Sequence, residues 1–289
     1  MTPGLAPDPA TTPARIVDMK VQSYLDTLVQ LCLQGDRSVV SVMIFGSAAR
    51  GGFSSGVSDV DSIIVLEDGA TRPDKMLLAS EVSQLEISHG LRAPELRPKT
   101  TLEAFAERSG GNALSSFICC RSDFLSGNVA RVLGLRRAEA LFVDRIVFAS
   151  IVGSAVTVWG EDLRPRVPVP PIRRLDVFKA LFLFTNQVLL SIAAFSVMPD
   201  GTKYAMGALK RSLHSCFFCY QLRTAALEEE VAFFRRILGE HAVLGDLLAL
   251  RQQYRRSLRF GLRCLPTLAR LHVRTAWDNK FPLRMVRNR

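Results

Sequence analysis

Two short runs rich in β-branched residues, separated by a loop of glycine and serine, most constrain how this chain can fold. The first run, SVVSVMIF, ends at Phe45, and the second, DVDSIIVL, begins at Asp59. Val and Ile favour extended backbone, and a short apolar run bounded by turn residues indicates a buried strand. The two runs therefore predict neighbouring strands with a long loop between them.

The residues around these runs complete a small α/β unit. Apolar residues at helical spacing predict helices over residues 15–33 and 73–91, and SSFICC (115–120) predicts a third strand. The first fourteen residues are rich in Pro and Thr, which predicts a flexible tail over residues 1–14. We expect an α+β fold, with an α/β head containing a mixed sheet over residues 15–127.

The character of the chain changes after residue 127. Strand signals fade, and apolar residues at helical spacing predict five helices, over residues 131–156, 177–197, 204–227, 229–238 and 244–271. The connector WGEDLRPRVPVPPIRR contains four prolines and cannot be the interior of a helix. Residues 128–289 are therefore predicted to form an all-helical C-terminal domain.

The formal charge of +10 is concentrated at the C-terminal end. Residues 251–289 hold 11 Lys and Arg and a single acid, Asp278, whereas acids and bases balance over residues 1–250. A basic segment of this kind is a candidate contact for phosphate-rich partners such as RNA. A solvated, arginine-rich helix face explains the same composition.

The cysteines and the longest apolar stretch argue for a protein of the cytoplasm. Six cysteines are scattered without a disulfide-like framework or a secretory signal, and Cys216 and Cys219 lie one helical turn apart. The stretch from Ala180 to Met198 is interrupted by polar residues such as Asn186 and Gln187, so it predicts a buried helix. A cytoplasmic location and no membrane partner are expected.

The loop between the two strands carries the chemistry. Gly46 and Ser47 follow the first strand, where glycine allows a close approach and Ser47 is placed to open a helix whose free N–H groups favour anions. Asp59 and Asp61 open the second strand, and residues two apart in a strand project from the same face. Val60 should then point into the core.

Two neighbouring carboxylates repel unless a cation neutralises them. Mg²⁺ prefers oxygen ligands, typically one or two carboxylates with nucleotide phosphates and water. A phosphate-cradling turn beside a metal-holding pair suits phosphoryl or nucleotidyl transfer, in which positioning and charge neutralisation supply most of the rate.

The stretch GSAARGGFSSGVSDVD resembles the signature of the nucleotidyltransferase superfamily that includes DNA polymerase β. It is most similar to the small bacterial branch, whose members include aminoglycoside adenylyltransferases and minimal nucleotidyltransferases. The sequence motif is closely similar over residues 42–66, whereas over the helical part only the overall architecture is similar. The resemblance implies that Asp59 and Asp61 bind Mg²⁺. It also implies that Gly46 and Ser47 contact the triphosphate, with Arg50 and Ser58 as weaker candidates for phosphate contacts.

The resemblance also implies the reaction, in which an acceptor hydroxyl attacks the α-phosphorus of a nucleoside triphosphate and pyrophosphate leaves. ATP is the expected nucleotide. The family often has a third carboxylate on a following strand, but SSFICC contains no acid. Asp123, just after this strand, is the nearest candidate for this catalytic role. Glu86, Glu95 and Glu103 are further candidates, and each of these acids also suits an ordinary surface position.

Lys203 and Lys210 are seven residues apart and hence on one helix face. Relatives place basic residues of the helical domain near the phosphates, which makes both lysines candidate nucleotide contacts, although solvated lysines explain them equally well. Three functions stay open from the sequence. They are transfer to a small hydroxylated acceptor, transfer to RNA or protein, and a catalytically degenerate nucleotide-binding or regulatory module.

Overall fold

The computed structural model describes residues 19–34, 37–49, 60–91, 115–132, 145–196 and 201–285. Strands and helices alternate in the first half of the chain, where three of the four strands coincide with the predicted ones. The elements of the head are α1 Met19–Leu33, β1 Val39–Phe45, α2 Gly46–Ala49, β2 Asp61–Leu66, α3 Arg72–Ser88, β3 Ser116–Cys120, α4 Arg121–Leu125, α5 Val129–Val132, α6 Arg145–Ser154 and β4 Val156–Gly160.

The four strands form one mixed sheet in the order β3-β2-β1-β4, as the predicted fold class requires. β1 runs antiparallel to both β2 and β4, whereas β2 and β3 run parallel. In the β1–β2 pair Phe45 lies opposite Asp61, so the end of β1 and the start of β2 meet at one edge of the sheet. The turn that follows β1 therefore begins beside Asp61.

The sheet is covered on both faces, and alternation along the strands assigns residues to each face. Val60 and Ile64 pack with α1 and α3 on one face. Phe45 and Ile63 pack with α4, α5 and α6 on the other. Val60 is 2% exposed, which confirms that it points into the core. Asp61 alternates with Val60 and thus belongs to the α6 face.

Helix α6 joins the head to the helical body. Phe148 and Val152 pack against the sheet, whereas Ile146 and Ala149 belong to the core of the body. β4 follows α6 directly and pairs with β1. The head was predicted to end at residue 127, but its sheet takes this edge strand from beyond that position. The run VTVWG is too short and too mixed for its periodicity to reveal a strand; pairing with β1 stabilises it.

The helical body follows a connector that contains only a 3₁₀ turn, as its prolines predict. Its five helices are α7 Arg174–Ala193, α8 Gly201–Gln221, α9 Leu227–Leu238, α10 Ala242–Gln252 and α11 Leu258–Asp278. One helix was predicted over 244–271, and the structure has two there. The break comes at Ser257, whose hydroxyl accepts a hydrogen bond from the Phe260 N–H at 3.2 Å and caps α11.

Helix α7 covers most of the apolar stretch from Ala180 to Met198. Among the described residues it is the one helix that is long and apolar enough to cross a membrane. One side of it packs against α8 and α11 through Val177, Phe184 and Val188 in the core of the body. All six cysteines are buried and free, and two of them lie one turn apart within α8.

Candidate active site

The turn after β1 brings Gly46 and Asp61 into contact. Gly46 has a φ of +71°, a left-handed conformation that glycine adopts without strain. A Cβ at this position would collide with Oδ2 of Asp61 and would lie 3.2 Å from its Cγ. The absence of a side chain at Gly46 is therefore what allows the Asp61 carboxylate to lie against the backbone of the turn.

Ser47 and Ala48 are buried within the single turn of α2. The sequence predicts the start of an anion-binding helix at this position. Because α2 contains only four residues, its macrodipole is small, and any anion would be held by local backbone N–H groups. The structure thus places Gly46, Ser47 and Asp61 together at one edge of the sheet.

A cavity of about 510 Å³ borders this turn. Ala49 lines it on the head side, Gly153 and Ser154 contribute the end of α6, and Phe218 and Leu222 contribute the end of α8. Its volume lies within the usual range for small-molecule sites. The α6 residues place the cavity on the same face of the sheet as Asp61, so carboxylate, turn and cavity lie at one end of the head.

The helical body contributes an ion pair to this cavity. Arg223 and Glu229 both line it, and the Arg223 guanidinium donates to a Glu229 carboxylate oxygen. Arg223 also lies over the Phe217 ring, 5.2 Å from its centroid. The same two residues line a second cavity of about 410 Å³ beside α9. Nothing in the sequence marked them, because they flank the break between α8 and α9 and meet only in the folded body.

Asp123 lies at the opposite end of the sheet from Asp61. β2 and β3 are parallel, with Leu66 beside Cys120, so α4 starts where β2 ends. Five residues of β2 separate that end from Asp61, a distance of about 17 Å at ~3.3 Å per residue. The structure does not bring Asp123 to the turn, because the parallel pairing of β2 and β3 carries it to the far edge.

Glu86 lies nearer to Asp61 but belongs to the other face. It is 3% exposed on α3 and accepts hydrogen bonds from the hydroxyls of Ser115 and Ser116. The Ser62 hydroxyl in turn donates a hydrogen bond to the Ser116 hydroxyl, with 2.8 Å between the two oxygens. Since Ser62 and Asp61 project from opposite faces, the Glu86 carboxylate is buried beneath the sheet and braces the start of β2 and β3.

Lys203 and Lys210 lie on α8, whose C-terminal end borders the cavity. At ~1.5 Å per residue, Lys203 lies about 22 Å along the axis from Phe218, and Lys210 about 12 Å. Lys203 lies 5.1 Å from the ring centroid of Tyr254 instead. Neither lysine lines the cavity beside Ala49. The remaining predicted site residues, Arg50, Ser58 and Asp59, and the acids Glu95 and Glu103 lie outside the described residues.

The described part of the chain contains no group of three His, Cys, Asp or Glu side chains that could hold a metal ion. Asp61 supplies one carboxylate, and Asp59 is expected to supply a second. Mg²⁺ is commonly held by one or two protein carboxylates, with substrate phosphates completing its shell. The hard oxygen donor of Asp61, set against a turn that only glycine fits, is compatible with this ion.

Comparison with known proteins agrees with this arrangement. Residues 25–109 match the family model of the nucleotidyltransferase domain, a span that includes the C-terminal part of α1, β1, the turn, β2 and α3. No curated protein sequence matches the chain significantly. Among solved structures, the spectinomycin adenyltransferase AAD(9) from Enterococcus faecialis, with ATP and spectinomycin, superposes with a TM-score of 0.50 at 10% identity. That match covers 87% of this chain and 98% of the other.

Residues 25–109 are thus similar to a nucleotidyltransferase domain, and the class of protein that this match and the site indicate is a nucleotidyltransferase. Its overall fold, an α/β head followed by a helical body, is similar to that of the spectinomycin adenyltransferase along nearly the whole chain. At this low identity the similarity establishes the fold.

Proposed function

We propose that this protein is a Mg²⁺-dependent nucleotidyltransferase that transfers the nucleoside monophosphate of ATP to a hydroxyl group of a small acceptor, with release of pyrophosphate. The observation that supports this most is the Asp61 carboxylate lying against the Gly46 turn at the edge of the sheet. A carboxylate held against the backbone of a turn suits nucleotidyl transfer, because charge must be neutralised where the phosphates bind.

Each residue of the turn has a defined task in this proposal. Gly46 and Ser47 hold the triphosphate through backbone groups, with Arg50 and Ser58 from the following loop as additional contacts. Asp61 and Asp59 hold the Mg²⁺, which, when bound, neutralises phosphate charge and polarises the α-phosphorus. The acceptor occupies the cavity between Ala49 and the α8–α9 junction.

The cavity suits a small, polar acceptor. Arg223 and Glu229 present both signs of charge to it, and the Phe218 and Leu222 side chains provide apolar wall. A hydroxylated molecule with one or more amino groups can bond the Glu229 carboxylate while its hydroxyl faces the turn. The spectinomycin adenyltransferase, which has the same overall fold, was solved with ATP and spectinomycin.

The proposal is tested by pyrophosphate release from each of the four nucleoside triphosphates with Mg²⁺ and a panel of hydroxylated acceptors. We expect ATP-dependent release with at least one acceptor, and loss of at least about 10²-fold in the Asp59→Ala/Asp61→Ala variant. Asp123→Ala is the matched control and should retain activity, because Asp123 lies at the far edge of the sheet.

Nucleotide binding is measured separately by thermal shift. Triphosphates with Mg²⁺ should raise the melting temperature of the wild type, and this stabilisation should be lost in the double variant. Binding without turnover would favour the nucleotide-binding or regulatory alternative. Labelling of added RNA or of the protein itself would favour those acceptors, and equal shifts in both proteins would refute the metal assignment.

A further inference from the structure

Helices α7 and α11 lie side by side and antiparallel on the outside of the helical body. His272 of α11 donates from Nδ1 to the Val177 carbonyl near the start of α7, at 3.0 Å. Near the other end of α7, Gly261 packs so closely that a Cβ there would lie 3.2 Å from Ile192. The two helices are therefore aligned over most of their length, about 30 Å at ~1.5 Å per residue.

Both helices expose large apolar side chains along this pair. On α7 they recur every seven residues, and on α11 they follow spacings of four and eleven, so each set forms a stripe on one side of its helix. We call these residues the apolar face: Leu175, Phe182 and Leu189 of α7, and Leu258, Leu262, Val273 and Trp277 of α11. Trp277 is 71% exposed and Phe182 is 59% exposed, which is far from their usual environment.

The two stripes lie on the same side of the helix pair. On α11, Gly261 and His272 face α7, and the exposed apolar residues follow them around the helix toward solvent. On α7, Val177 and Ile192 face α11. At 100° per residue, Phe182 and Leu189 lie farther around α7, and because the two helices are antiparallel they project from the same side of the pair as the exposed residues of α11. The apolar face is therefore one continuous surface along the seam between the helices.

Arginines border the apolar face along α11. Arg259, Arg263, Arg270 and Arg274 share one side of the helix, next to the apolar stripe, at spacings of four and seven. Arg263 pairs with Asp246 and Arg274 with Asp278. Within the described ranges, Arg259 and Arg270 have no ion-pair partner. A partner complementary to this surface would therefore be apolar at its centre and negatively charged at its rim.

We propose that the apolar face docks the protein peripherally on a bilayer that contains anionic phospholipid. Helices that lie in a membrane interface carry Leu, Phe and Trp on one side and arginine on the next, and a tryptophan at the boundary is typical. A second copy of the chain is a poorer occupant, because self-association would bring these arginines together. This surface was not expected from the sequence, which indicated no membrane partner, and it is independent of nucleotidyl transfer.

α7 does not span the membrane in this arrangement, since its inner side packs in the core of the body. The face binds flat, with apolar side chains below the headgroups and the arginines among the phosphates. Each arginine near an anionic surface strengthens binding about fivefold. Removal of apolar side chains and removal of charge should therefore weaken binding separately.

Trp277 provides the readout. The chain has two tryptophans, and Trp159→Phe leaves Trp277 as the single emitter. This protein is titrated with phosphatidylcholine vesicles and with vesicles that also contain phosphatidylglycerol, with binding measured in parallel by co-sedimentation. We expect a blue shift of Trp277 emission and binding with the anionic vesicles only.

Two variants and one control test the surface. Phe182→Ser/Leu262→Ser should weaken vesicle binding about tenfold or more, and Arg259→Glu/Arg270→Glu at least about 25-fold. Arg72→Glu/Arg131→Glu makes the same change of net charge at exposed positions in the head and should have little effect. Circular dichroism and the melting temperature verify that each variant is folded.

Several results would overturn the proposal. They are no binding to anionic vesicles, equal binding to both kinds of vesicle, and binding that the first two variants retain. Concentration-dependent dimers that Phe182→Ser/Leu262→Ser abolishes, without vesicle binding, would assign the face to a second copy. Binding of labelled RNA that Arg259→Glu/Arg270→Glu abolishes, without vesicle binding, would assign the rim to nucleic acid.

Discussion

The carboxylate of Asp61 occupies the space that a side chain at position 46 would need. Gly46 follows the first strand with a φ of +71°, and Asp61 begins the second directly opposite Phe45. The antiparallel pairing and the positive φ act together, because one sets the two residues side by side and the other turns the backbone toward the carboxylate. This one relationship brings Asp61, which the sequence predicts as a metal ligand, into contact with Gly46, which it predicts as a phosphate contact.

Gly46→Ala should reduce nucleotidyl transfer by at least about 10²-fold, because the new Cβ displaces the carboxylate that we propose as a Mg²⁺ ligand. It should also destabilise the fold by about 1–3 kcal/mol through left-handed strain and the collision. Steady-state kinetics and urea unfolding measure the two effects.

Gly239→Ala separates these two causes. Gly239 has a φ of +81° at the end of α9, and a Cβ there would meet nothing within 4 Å. The variant should be destabilised by a comparable amount through left-handed strain and should keep its activity. If both variants lose activity equally, backbone strain, and not the position of Asp61, explains the first result.

Arg223→Ala should raise the KM for the acceptor about tenfold and leave the KM for ATP nearly unchanged, because Arg223 lines the cavity on the side of the helical body. Stability should change by less than about 1 kcal/mol, since the pair with Glu229 is about half exposed. Arg274→Ala removes a comparable exposed pair on α11 and should leave both KM values unchanged. A rise in the KM for ATP alone would indicate that this cavity binds the nucleotide and not the acceptor.

His272 should make the protein less stable in mild acid. Its ring is fully buried, donates to the Val177 carbonyl and accepts from the Ser212 hydroxyl, and burial lowers its pKa to about 4. The unfolded chain, with a histidine pKa near 6.5, binds the proton more readily between pH 6.5 and 4. The contribution of this group is therefore fully present above pH 6.5 and declines by up to about 3 kcal/mol as the pH falls to 4.

His272→Gln provides the comparison, because an amide can replace both hydrogen bonds without a titrating proton. The difference in free energy of unfolding between wild type and variant, measured by urea titration at several pH values, should shrink from pH 6.5 to 4. A difference that stays constant over this range would contradict the assignment.

The cysteines should be inert in the folded protein. All six are buried, and burial raises the pKa of Cys32 to about 11 and that of Cys119 to about 12. At pH 8 only about one Cys32 side chain in a thousand is a thiolate, the reactive form. Titration with a thiol reagent should give six equivalents in guanidinium and nearly none without it, and rapid labelling of the native protein would contradict this.

The sequence by itself determined the elements whose signals are local. The two β-branched runs, the strand SSFICC, the helix over 73–91 and the proline-rich connector all fold as predicted, because side-chain shape and proline act within a few residues. The Gly46 turn and the two aspartates were predicted as site residues from the same kind of local pattern. The resemblance to the nucleotidyltransferase superfamily followed from that pattern, and the match of residues 25–109 to the nucleotidyltransferase domain agrees with it.

Only the tertiary structure decided which distant groups meet. Parallel pairing of β2 and β3 carries Asp123 to the far edge of the sheet, and sheet alternation places Glu86 beneath it. β4 becomes a strand because β1 offers it a partner, and Arg223 meets Glu229 across a helix break. The apolar face likewise exists only because α7 and α11 pack side by side. The strand pairings and the helix contact join residues far apart in the chain, and the Arg223–Glu229 pair depends on where α8 ends and α9 begins, so no local spacing encodes them.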